Sequence, residues 1–134
     1  MATSSDTRMG RRDSRTIDLR AELSKALRTE RFGHALELYE LIEKRKPDEP
    51  RWAHRKGDLL RRMGREADAV LAYERAVHLY STRGFDARAA ATAKLLLAID
   101  PSKGDVLKWA DSEAARRFQQ QRRIAIQVGF RHPG

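Results

Sequence analysis

Apolar positions in this chain fall at helical spacing along most of its length. Leu19, Leu23, Ala26 and Leu27 stand at i, i+4, i+7 and i+8, the stripe of an amphipathic helix. Glu30 to Gly33 interrupts that stripe as a turn. A second helix is predicted from about His34 to Arg45, with Ala35, Tyr39 and Ile42 on one face and Lys44, Arg45 and Lys46 at its negative end. Pro47 closes it, because proline has no N–H to donate. Asp48 and Pro50 open a third helix, since proline is tolerated in a first helical turn. Its inner face reads Trp52, Ala53, Leu60 and Met63, with Gly57 allowing close approach, and Gly64 ends it. The fourth helix carries Ala69, Tyr73, Ala76, Val77 and Tyr80 to a stop at Gly84. Ala89, Ala93 and Leu96 mark a fifth, ended by Pro101. Ser102 caps a sixth in which Leu107, Ala110, Ala114 and Phe118 keep the period, with Trp109 nearby.

Two segments depart from the helical period. Residues 1–16 are polar and have no apolar face, so they read as a disordered arm made basic by Arg8, Arg11, Arg12 and Arg15. Thr16 stands where it can cap the first helix. From Arg123 the apolar residues Ile124, Ile126, Val128 and Phe130 alternate with others, which is a strand signature. A lone strand is unstable, so it is expected to pair with another chain, including a second copy of this one, to lie along the helices, or to open a further domain. The expected organisation is a disordered arm over 1–16, a helical domain over 17–121 and a basic tail with a short strand over 122–134.

The helical part contains an internal repeat. Ala35, Tyr39 and Ile42 are matched by Ala69, Tyr73 and Ala76, each 34 residues on. The small residue lets a neighbouring helix come close and the aromatic fills the space beside it. A third such face at Ala89 and Ala93 follows after 20 residues instead of 34. Either a helix is missing from the third unit, or the fourth helix also serves as its first half. Two helices per repeat of this length resemble the tetratricopeptide repeat over roughly residues 17–101. Glu30 stands where a turn glycine is usual, and Ser81 replaces a closing proline. The resemblance implies an all-α array of about six antiparallel helices, to which the sequence adds a short C-terminal β-strand.

In that family the first helix of each pair lines a groove that binds a peptide or a partner's helix. Carried onto this chain, the groove residues are Arg20, Ser24 and Arg28 from the first helix, with Arg51, His54, Arg55, Asp58, Arg61 and Arg62 from the third. Guanidinium forks take carboxylates bidentately, so an acidic segment or a C-terminal carboxylate is the expected ligand. The chain has no asparagine, so the carboxylate clamp of chaperone-binding members is not carried over. The competing account makes these arginines a solvated face, or pairs them with Asp58, Glu66 and Asp68.

Charge sharpens the choice of partner. Lys+Arg outnumber Asp+Glu by 28 to 19, a net charge of +9, and the isoelectric point is near 10.5. This favours anionic partners. Arg116, Arg117, Arg122 and Arg123 follow the last acidic residue, Glu113, and suggest an anion-binding tail. Nucleic-acid or phosphate-ligand binding through the two arginine-rich arms is therefore the alternative to a protein-binding adaptor. With no cysteine and four scattered histidines, neither metal-ligand spacing nor thiolate chemistry is present. No nucleophile–base motif or phosphate-cradling glycine loop occurs, so neither an enzyme nor a cofactor is expected. Mean hydropathy is −0.72, and no apolar run approaches the ~20 residues of a membrane span. The N-terminal stretch lacks the apolar core of a secretory signal, and the expected location is cytoplasmic.

Overall fold

A computed structural model of the chain describes residues 18–130, with the backbone alone for 129 and 130. The arm expected over 1–16, the Thr16 cap and residues 131–134 lie outside the described residues. Within them the chain is all-helical, without a strand: α1 (18–28), α2 (Phe32–Arg45), α3 (Pro50–Arg62), α4 (Glu66–Thr82), α5 (Asp86–Ile99), a short 3-10 turn (Pro101–Lys103) and α6 (Gly104–Phe130).

Three of the connections are the same turn. Glu30, Gly64 and Gly84 have φ of 57°, 77° and 79°. In each turn the positive-φ residue donates to the carbonyl three residues back (Leu27, Arg61, Ser81). The next residue donates to the carbonyl five back (Ala26, Leu60, Tyr80). This is the Schellman arrangement, which satisfies the last carbonyls of the ending helix. The same residue then accepts from the alanine four positions on: Arg31 from Ala35, Arg65 from Ala69, Phe85 from Ala89. One residue thus ends one helix and starts the next, which fixes where each alanine face begins. The α4–α5 link is the same as the other two, and no helix stands between them. The 20-residue offset therefore arises because α4 is the second helix of one hairpin and the first of the next.

The faces read from the sequence form the core. Ala35, Ala69, Ala76 and Ala93 are fully buried, with Tyr39, Ile42, Tyr73, Val77 and Leu96 packed beside them. Consecutive helices pack on one another from α2 onward, and α4 also packs on α6. The approach of α3 to α4 depends on Gly57, where a Cβ would lie 2.7 Å from the Tyr73 ring. The α3 face holds Trp52, Ala53, Leu59 and Leu60 in the core, while Met63 is half-buried.

The C-terminal segment differs from the sequence reading. Residues 122–130 continue α6 as helix where the strand was expected, and no strand occurs among the described residues. A helix satisfies its own N–H and C=O groups within one segment, whereas a strand needs a neighbouring strand to do so. The glutamines, arginines and alanine between 119 and 125 are also good helix formers. Asp100, not Ser102, accepts at the start of this region: its carboxylate takes the Ser102 amide at 3.0 Å and hydroxyl at 2.6 Å. Val106 and Ala110 anchor α6 in the core, but Phe118, expected on that face, is exposed along with Ile124, Ile126 and Val128.

Candidate functional site

A cleft of about 490 Å³ opens between the N-terminal halves of α1 and α3. Arg20 and Ser24 come from α1 and Arg51 and Arg55 from α3, one helical turn apart in each case. Leu23, Leu27 and Tyr39 form the apolar wall, and Trp52 is the floor. The Trp52 ring is buried and lies 6.4 Å from Tyr39. Three guanidinium groups surround it, with Arg51, Arg20 and Arg55 at 4.9, 5.3 and 5.4 Å from its centroid. Each distance is within the range where the negative face of an indole attracts a cation.

The charges in the cleft are unequally compensated. Glu49 accepts from the Trp52 indole N–H at 2.9 Å and from Arg51 Nε at 3.0 Å, with Lys46 3.7 Å from its other oxygen. Burial by itself would push this carboxyl up, but the Trp52 hydrogen bond and the Arg51 charge outweigh it and hold the group below the ordinary carboxylate range. Among the described residues no carboxylate comes within ion-pair distance of Arg20 or Arg55. The indole face offsets part of their mutual repulsion, and an incoming anion would relieve more of it.

The other residues singled out in the sequence have different surroundings. His54 is half-buried and engaged: its Nδ1 lies 3.1 Å from the Tyr80 hydroxyl and 3.4 Å from that of Thr92 on α5, and its Nε2 is 3.8 Å from Asp58. Asp58 accepts from the Tyr73 hydroxyl at 2.5 Å. Burial first, and then this hydrogen bond, push the Tyr73 phenol well above its ordinary value. Arg61 lies beside the same hydroxyl. Arg28 is exposed at the far end of α1, about 12 Å along the helix from Arg20. Arg62 stacks on Phe32 at 4.8 Å and approaches Glu30 at 3.9 Å, at the α1–α2 turn and away from the cleft. The pairing of acidic residues is also different from the competing account, since Asp68 takes Arg65 and Asp58 takes Tyr73.

The tail arginines divide in the same way. Arg117 donates to the Ser81 carbonyl at 2.6 Å and pairs with Asp86, which ties α6 to α4 and α5. Arg116 pairs with Glu113 at 3.3 Å, while Arg122 and Arg123 are exposed. No cluster of three or more His, Cys, Asp or Glu side chains among the described residues could hold a metal ion. Sequence reasoning missed Arg83 and Arg88. They line a second cleft with Arg51, and no periodic signal marks an arginine beside a turn. No protein-family model matches the chain, and no curated protein matches it.

Proposed function

We propose that this chain is a non-catalytic adaptor that docks an acidic segment of a partner protein in the cleft floored by Trp52. One observation carries the reading: three guanidinium groups converge on one indole ring, and Arg20 and Arg55 have no carboxylate of the described chain to pair with. A carboxylate entering between them gains charge-assisted hydrogen bonds, while its neighbouring apolar side chain packs on Leu23, Leu27 and Tyr39. Charge sets the encounter rate and the apolar wall sets the residence time. A tetratricopeptide-like array is supported by the buried alanine–tyrosine faces 34 residues apart and by the repeated turn. In such an array α1 and α3 line the working groove.

The test is charge reversal with a matched control. Arg55→Glu and Arg20→Glu should each weaken binding of a labelled glutamate-rich peptide at least about tenfold, the effect of losing a charge-assisted bond. Arg62→Glu changes the net charge equally but lies outside the cleft, and should shift the affinity less than about twofold at physiological salt. Equal losses in all three variants would mean that net charge, not the cleft, binds the peptide. A second reading, polyanion binding by the arginine-rich ends, draws on exposed Arg122 and Arg123 of α6. It requires that Arg122→Glu with Arg123→Glu abolish binding to a single-stranded oligonucleotide and leave peptide binding intact.

A further inference from the structure

Beside the Trp52 cleft lies a smaller one of about 230 Å³, where the first turn of α3, the end of α4 and the start of α5 meet. Arg51 borders both, so the two clefts are contiguous. The second holds two further arginines, Arg83 and Arg88, both exposed. Its floor is aromatic. Phe85 is 44% exposed, unusually open for a phenylalanine, with Tyr80 edge-on at 6.5 Å and the Arg88 guanidinium 5.5 Å above its ring. The single acidic residue at its rim, Glu49, is already held by Trp52, Arg51 and Lys46. Asp86, in the first turn of α5, is taken up by Arg117. An aromatic surface flanked by cations repeats, on α4 and α5, the chemistry of the cleft on α1 and α3.

We propose that this second cleft is a subsite for the same partner segment, taking a second acidic side chain together with an apolar neighbour that stacks on Phe85. The inference rests on the reading of the Trp52 cleft given above and specifies its ligand. The partner presents an extended acidic stretch that crosses Arg51 from one cleft to the other. Each cleft lies beside α3 and both border Arg51, so their centres are about one helix spacing, roughly 10 Å, apart. An extended chain covers that distance in about three residues. Recognition therefore requires two acidic positions about three residues apart, not a single carboxylate.

Two fluorescein-labelled peptides test this. One has two glutamate pairs separated by a single glycine; the other has glutamine in place of one pair. With both subsites engaged, the two-pair peptide should bind at least about tenfold more tightly, because its second contact is intramolecular. Arg83→Gln with Arg88→Gln should remove that gain and bring both peptides to one affinity, while Arg62→Gln leaves it intact. Both arginines are exposed, so an unchanged circular dichroism melt is expected and serves as the folding control. Equal affinities in the unaltered protein, or a gain that survives Arg83→Gln with Arg88→Gln, would overturn the subsite and leave the Trp52 cleft standing. If Arg20→Glu has no effect on either peptide, the cleft reading fails and the subsite with it. A single-stranded oligonucleotide that binds more tightly than the two-pair peptide, with the same dependence on Arg83 and Arg88, would overturn a peptide as the occupant.

Discussion

Glu30 holds the left-handed conformation that Gly64 and Gly84 hold at the equivalent turns, with φ of 57°. An L-residue with a Cβ is disfavoured there by roughly 1–2 kcal/mol, partly offset because glycine has more freedom to lose from the unfolded chain. Glu30→Gly should therefore stabilise the protein by about 0.5–1 kcal/mol in urea unfolding. The exposed contact to Arg62 that it removes contributes little. Gly64→Ala should destabilise by a similar amount. A Cβ there meets nothing within 4 Å, so the loss is one of backbone conformation alone. The sequence shows that turns stand at these positions, because glycine and the alanine that follows it mark two of them. It does not show that Glu30 adopts the same backbone, since glutamate carries no such signal.

At the scale of elements, the helices that bury a face were legible and the one that does not was misread. Ala35, Ala69 and Ala89 repeat because a neighbouring helix must come close at those positions, and that demand is written into residue size. Beyond Phe118 no described residue packs on α6, so no core sets the period of its apolar residues. The alternation of Ile124, Ile126 and Val128 then looks like a strand, while backbone hydrogen bonding keeps it helical. The cleft was partly legible for a related reason. Arg20, Ser24, Arg51 and Arg55 lie one turn apart on faces left over by the core, and the fold brings them to one cleft. Arg28 and Arg62 share those faces at the other ends of the helices, and sequence spacing does not say where along a face a cleft opens. The sequence groups Arg117 with Arg116, Arg122 and Arg123 as an anion-binding tail. Arg117 donates instead to the Ser81 carbonyl and pairs with Asp86. Arg117→Ala should weaken the attachment of α6 by about 1.5–3 kcal/mol, the range for hydrogen bonds to charged groups. Hydrogen exchange should then speed up across the α6 amides around Val106 and Ala110, with α3 much less affected.

For the whole molecule, all three tyrosines of the chain are part of the core. Burial raises the phenol pKa of Tyr39, Tyr73 and Tyr80 above 10.0, with Asp58 adding to the effect most strongly at Tyr73. A group whose folded pKa is raised gives stability that is complete below its unfolded value and lost as pH rises through the folded one. The protein should therefore keep its stability up to about pH 10 and lose it steeply above. Phenolate absorbance should appear together with the loss of helical circular dichroism; absorbance that rises near pH 10 in a still-helical protein would mean the rings are accessible. The same packing that buries these rings holds α1 and α3 in place around Trp52. No helix among the described residues is long and apolar enough to cross a membrane.

The adaptor account depends on an anion entering among Arg20, Arg51 and Arg55, and Trp52 can report that event directly. The chain has two tryptophans, and the other, Trp109 of α6, lies tilted against His78 of α4 with ring centroids 4.3 Å apart. In a Trp109→Phe protein, titration with hexaglutamate should change the Trp52 emission saturably at low salt. Physiological salt should shift the curve to higher concentration, and Arg55→Glu should abolish the response. An emission that stays flat through the titration, or that responds identically with Arg55→Glu in place, would contradict the account.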